Sequence, residues 1–175
     1  MEIHIFNSMD YEEFVDKFGN AIERCPLIAA TVWTNRPFTS LDALEKAFGD
    51  FIDLLPSSGK EGLLRCHPDL AGRDLFRGIL STESQGEQTQ AGLTNLTAEQ
   101  RSQLTELNAL YKKRFHFPFV ICARMNDKDT IIRHLSSRIH NSPEHELKTS
   151  VEEVKKICHL RLLDIFNQVR HGTKL

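Results

Sequence analysis

Apolar residues recur at three- and four-residue intervals along almost the whole chain, and only Phe115–Cys122 has the composition of an extended run. A period of 3.6 puts such residues on one helical face, whereas a half-buried strand needs strict alternation. Asp10-x-x-Glu13 forms a capping box for a helix carrying Phe14, Val15 and Phe18, closed by Gly19-Asn20. Pro26 suits a first turn and opens a helix through Leu27, Ala30, Val32 and Trp33 to Asn35-Arg36-Pro37. Thr39-x-x-Asp42 starts a third, with Leu41, Leu44, Ala47 and Phe48, ended by Gly49. Ser58-x-x-Glu61 opens a fourth that finishes near His67, because Pro68 disfavours helical backbone in the residue before it, and Pro68-Asp69 can start the next turn. Thr97-x-x-Gln100 begins an amphipathic helix with Leu104, Leu107, Leu110 and Tyr111 on one face. Ile131, Ile132, Leu135 and Ile139 mark another, and Leu147, Val151, Val154, Ile157, Leu160 and Leu163 keep a stripe from about Pro143 to Val169. With six or more helices and at most one strand-like run, the chain reads as all-α: a single-domain multi-helix bundle over 1–175, with a long C-terminal helix and one extended segment near 115–123. Pro118 keeps that segment out of a central sheet ladder.

At 175 residues the chain is long enough for one domain with a real core. Its 22 Lys+Arg against 24 Asp+Glu leave no basic field for a phosphate backbone, so nucleic acid is not an expected partner. No apolar run approaches bilayer-spanning length and the N-terminus lacks a secretory pattern, so neither a membrane nor a secreted setting is expected. Cys25, Cys66, Cys122 and Cys158 form no C-x-x-C pair and read as four buried free thiols. His134, His140 and His145 do not share a helical face, and there is no H-E-x-x-H, phosphate loop or G-x-S-x-G elbow. No metal site is expected.

Three segments break the pattern of a plain bundle. In Arg65-Cys66-His67-Pro68-Asp69-Leu70-Ala71-Gly72, His67 falls at a helix junction, where the negative end of a helix favours a protonated imidazole suited to general-acid work. The same position equally suits a histidine that simply bonds a helix-end carbonyl. Ser84-Gln85-Gly86-Glu87-Gln88 gathers a hydroxyl, amides and a carboxylate that fit a small polar ligand, or a solvated loop. Phe117-Pro118-Phe119-Val120-Ile121-Cys122-Ala123-Arg124 offers extended backbone N–H and C=O groups at a pocket wall, or an apolar connector.

His67-Pro68-Asp69-Leu70-Ala71-Gly72, Ser84-x-x-Glu87-Gln88-x-x-Ala91-Gly92-Leu93 and Phe117-Pro118-Phe119-Val120, in that order, resemble the OHCU (2-oxo-4-hydroxy-4-carboxy-5-ureidoimidazoline) decarboxylases of urate degradation. The resemblance implies an all-α homodimer that converts OHCU to (S)-allantoin and carbon dioxide with neither metal nor organic cofactor. It makes His67 the catalytic proton donor, Glu87 and Arg161 further catalytic residues, and Pro68, Ser84, Gln85, Gly86, Gln88 and the backbone of Phe119, Val120, Ile121, Cys122 and Ala123 substrate-binding. Thr173-Lys174-Leu175 is similar to the S-K-L address read by the peroxisomal import receptor, so the expected location is the peroxisome, with the cytoplasm as alternative.

Overall fold

In a computed structural model, residues 3–172 are described; Thr173, Lys174 and Leu175, which carry the expected address, lie outside them. Among the described residues the chain forms ten α-helices, one short 3-10 turn and no strand, as an all-α chain should. Contacts group these residues into two compact units, 3–56 with 155–172, and 57–154. The long helix α10 (Pro143–Gly172) supplies residues to both.

The first unit contains α1 (Ile3–Ser8), α2 (Tyr11–Phe18), α3 (Pro26–Trp33), α4 (Leu41–Leu54) and the later part of α10. The expected capping box of α2 is present: Asp10 Oδ1 accepts from Glu13 N at 2.8 Å, and the Glu13 carboxylate accepts from Asp10 N at 3.2 Å. Phe6, on the unanticipated α1, is fully buried and meets Phe18 edge-on at 5.2 Å, while Phe14 lies 4.6 Å from Phe18. The Asn7 amide bonds both backbone groups of Phe38, donating to its carbonyl at 2.8 Å and accepting from its N–H at 2.7 Å. That pairing supplies partners the loop cannot find in secondary structure. Two expectations shift here. Ser40, rather than Thr39, caps α4, and the helix runs through Gly49 to Leu54. A mid-helix glycine costs only about 1 kcal/mol, less than burying Phe48 and Ile52 on either side of it returns.

The second unit contains α5 (Ser57–Arg65), α6 (Arg73–Arg77), α7 (Thr82–Gln90), α8 (Ala98–Phe115), the 3-10 turn Ala123–Met125, α9 (Lys128–Arg138) and the start of α10. The Thr97/Gln100 capping box of α8 forms in both directions, at 3.1 and 3.0 Å. Leu104, Tyr111 and Phe115 are its buried face, while Leu110, expected on that face, is 49% exposed. Pro68-Asp69 starts no helix; the chain turns there and α6 begins only at Arg73. Of the four thiols, Cys122 and Cys158 are buried, whereas Cys25 and Cys66 are partly exposed.

Candidate active site

Arg65 ends α5, and the chain continues into the turn that carries His67, with His67 N bonded to Leu64 O at 3.1 Å. The imidazole Nδ1 lies 3.2 Å from the Leu63 carbonyl oxygen. A carbonyl can only accept, so this bond places a hydrogen on Nδ1 and leaves Nε2 as the nitrogen that gains or releases a proton. Nε2 is shielded from solvent. His67 therefore does bond a helix-end carbonyl, and in doing so aims a defined nitrogen as an acid-base group.

The Ser84–Gln88 segment is not a loop. It forms the interior of α7, capped by Ser81, whose hydroxyl accepts from Ser84 N at 3.2 Å. Hardly an apolar residue stands in Thr82–Gln90, so hydrophobic periodicity cannot register this helix. The legible signals are the Ser81 cap and the acidic Glu83 in the first turn. Helical spacing puts Ser84 and Gln88 on one buried face, with Glu87 half-buried beside them and Gly86 exposed. Gln85 Nε2 donates to Leu75 O at 3.2 Å, while its Oε1 is buried without a hydrogen-bond partner, an acceptor that a ligand N–H would satisfy.

The three motifs are joined by specific bonds. Gln88 uses both ends of its amide on the turn after His67, accepting from Ala71 N at 2.9 Å and donating to Asp69 O at 3.4 Å. Ala71 holds a left-handed φ of 50° in that turn, and the Asn108 amide donates to the neighbouring Leu70 O at 3.0 Å. Arg65, two residues before His67, donates through Nε to His116 O at 2.8 Å. His116 is the left-handed cap of α8, from which the chain enters the Phe117–Cys122 strap. Finally, α7 packs against the 3-10 turn that ends the strap. The Cys122 thiol is pushed up chiefly by burial, with the negative fields of Glu153 and Glu87 adding to it, so both carboxylates lie near the strap.

The strap is non-helical from His116 to Cys122, and Phe115 belongs to α8. Phe119, Val120, Ile121, Cys122 and Ala123 are all buried. Its backbone is held from behind by side chains that sequence reasoning missed. Arg138 Nη1 donates to Val120 O at 2.9 Å, and the guanidinium lies 4.4 Å from the centre of the Phe119 ring. Cys122 N donates to Glu153 Oε2 at 2.9 Å, and Asn126 Nδ2 donates to Cys122 O at 2.9 Å. Arg138 is itself fixed by Glu146 at 2.7 Å and by the Ser150 hydroxyl at 3.1 Å. Glu146 also accepts from Tyr111 Oη at 2.5 Å and from Asn141 Nδ2 at 2.9 Å. The available signal was polar residues, Glu146, Ser150 and Glu153, spaced as one helical face beside the apolar stripe of α10.

Arg161 belongs to the other unit. There it is 3% exposed, donating through Nη2 to Glu23 Oε2 at 2.9 Å and through Nη1 to Asn20 O at 2.9 Å. Glu23, also unanticipated, is 1% exposed. Cys158 in the same unit has its thiol pushed up to about 12, mainly by burial and then by Glu45. No group of three His, Cys, Asp or Glu side chains among the described residues is placed to hold a metal ion.

A family model described as OHCU decarboxylase matches residues 7–163, taking in all three motifs and Arg161. The chain belongs to the OHCU decarboxylase family. It is 55% identical to 2-oxo-4-hydroxy-4-carboxy-5-ureidoimidazoline decarboxylase of Xenopus laevis over 175 residues, covering 100% of each chain. It is 57% identical to the decarboxylase of that name from Amia calva, again over 100% of both. A crystal structure of OHCU decarboxylase in the presence of (S)-allantoin aligns with a TM-score of 0.69 at 24% identity, covering 87% of this chain and 98% of that one. The last comparison concerns the fold alone and agrees with an all-α assignment. Within the family reading, the Ser84–Gln88 and Phe119–Ala123 segments expected to meet substrate converge with His67 in one unit of this structure.

Proposed function

We propose that this chain decarboxylates OHCU to (S)-allantoin and carbon dioxide in urate degradation, with His67 as proton donor. The observation that carries this reading is the joining of His67, α7 with Glu87, and the Phe119–Ala123 strap through Gln88, Arg65 and the packing of α7 on the 3-10 turn. OHCU bears a carboxylate and a hydroxyl on one ring carbon. Breaking the bond to the carboxylate releases carbon dioxide and leaves its electron pair in the ring, where a proton from one face quenches it. An Nε2–H of His67, oriented by the Leu63 carbonyl, supplies that proton. Glu87 orients the substrate hydroxyl, and Ser84, Gln85 and the strap backbone hold the ureido and ring amide groups. The ring system itself delocalises the electron pair, so no metal or organic cofactor enters the scheme.

The test is to generate OHCU from urate in situ, add the protein, and follow circular dichroism. Optically active (S)-allantoin is expected faster than spontaneous decay, and the rate should be indifferent to EDTA. A racemic product or an unchanged rate defeats the proposal.

The same reading makes the chain a homodimer and places it in the peroxisome, through recognition of Thr173-Lys174-Leu175 by the import receptor. Urate oxidation releases peroxide, which suits that compartment. An N-terminal fluorescent fusion should be punctate and peroxisomal, and deleting the last three residues should disperse it into the cytoplasm. Location indifferent to the deletion would reject the tail as an address.

A further inference from the structure

The strap from Phe117 to Cys122 is non-helical, and among the described residues the chain forms no strand, so its backbone groups cannot be satisfied by a sheet ladder. Side chains take the place of the ladder. Val120 C=O goes to Arg138, Cys122 N–H to Glu153, and Cys122 C=O to Asn126, each at 2.9 Å. Val120 C=O is thereby tied to α9 and Cys122 N–H to α10, and Cys122 C=O is taken by Asn126 and by Met125 N of the 3-10 turn, whereas among the described residues the N–H and C=O of Ile121 bond no other group of the chain. Glu153 is the one carboxylate in this set, and a carboxylate receiving a backbone N–H makes a bond about twice as strong as a neutral one. It sits at the end of the strap, where the chain tightens into the 3-10 turn that packs on α7.

We propose that Glu153 is a positioning residue for the reaction: by accepting from Cys122 N–H it sets the register of the 119–123 backbone and keeps the N–H and C=O of Ile121 directed at the ligand. This deepens the proposed function and rests on the strap being a substrate-reading wall. Glu153 touches the strap backbone and acts through it. Its loss impairs recognition of the substrate more than the chemistry at His67. Arg138 and Asn126 restrain the same backbone, but Arg138 is also the centre of a buried ion cluster, so its removal would confuse positioning with stability. Glu153 is only half-buried, and α10 accommodates alanine there without loss of helix propensity.

The decisive comparison is Glu153→Ala against Glu153→Gln, with Glu153→Met as a length-matched alternative should the alanine variant fold poorly by circular dichroism. Steady-state kinetics on OHCU generated in situ are read beside hydrogen–deuterium exchange at the Cys122 amide. In Glu153→Ala, KM is expected to rise about tenfold or more with kcat nearly preserved, and exchange at Cys122 to quicken by a similar factor. Glutamine retains an amide oxygen in the same place, so Glu153→Gln should restore most of both values. A KM within twofold of wild type in the alanine variant overturns the proposal, whatever the exchange shows, and so does a glutamine variant as impaired as the alanine one. A wild-type chain that fails to give (S)-allantoin faults the proposed function instead, and that result is visible before any variant is made.

Discussion

Replacing His67 by alanine is expected to lower kcat for (S)-allantoin formation by roughly 10²–10⁴-fold, the usual contribution of a positioned general acid. The Leu63 carbonyl holds Nδ1–H at 3.2 Å, so only Nε2 can exchange a proton, and alanine removes that atom entirely. The side chain is half-buried at the end of α5, and the turn around it is fastened independently by Gln88 and Asn108. Far-ultraviolet circular dichroism of the variant should therefore match the wild type. The companion change Glu87→Gln keeps a hydrogen-bonding side chain on α7 while removing its charge, and should lower kcat by a smaller factor. Retained optical activity of the product at near wild-type rate in the His67 variant would remove it from the role of proton donor.

Glu146→Ala should be strongly destabilising to the second unit. The carboxylate is fully buried and receives Arg138, Tyr111, Asn141 and Ser150. Deleting it leaves the Arg138 guanidinium, 6% exposed, without its counter-charge. Breaking a buried pair from one side costs about 3–5 kcal/mol, because the remaining charge stays out of water. For a chain of this size that corresponds to a fall in Tm of roughly 6–20 °C, read by thermal unfolding. Glu146→Gln keeps one acceptor oxygen, enough for Arg138, Tyr111 and Ser150, which all meet Oε1, and gives up only the one that receives Asn141, so it should lose less. A Tm within about 2 °C of wild type for the alanine variant would show that the cluster is not a stabilising unit. The same network holds the Tyr111 hydroxyl above its ordinary pKa, through burial first and then the bond to Glu146. A raised value in the folded state means that the native protein keeps a proton the unfolded chain gives up. Stability from this group is therefore full below pH 10.0 and is lost as pH rises beyond it.

Residues that could be read from the sequence share one property: their signal lies within a few positions of themselves. Asp10 with Glu13, and Thr97 with Gln100, announce helix starts because each pair satisfies orphan N–H groups three residues apart. His67 stood out because Pro68 forces an end to the helix before it. Where a local rule was weak, burial overrode it. Gly49 does not stop α4, because Phe48 and Ile52 gain more from the core than the glycine loses. The helix α7 escaped hydrophobic periodicity, having almost no apolar residue to report a face. Its buried side is polar, Ser84 and Gln88, and polar residues are read by their partners.

Those partners are remote. Arg138 is 18 residues from Val120, Glu153 is 31 from Cys122, and Tyr111 is 35 from Glu146. Helical period and capping are short-range physics, so the all-α class, most helix faces, the capping boxes of α2 and α8 and the three motifs that identify the family are legible in the residues alone. That Glu153 and Arg138 restrain the strap, that Gln88 grips the turn after His67, and that Glu146 balances a buried arginine follows from folding and not from any local pattern. A hydrogen bond between distant residues forms only where folding brings a donor and an acceptor within about 3 Å, and no local pattern of residues encodes that meeting.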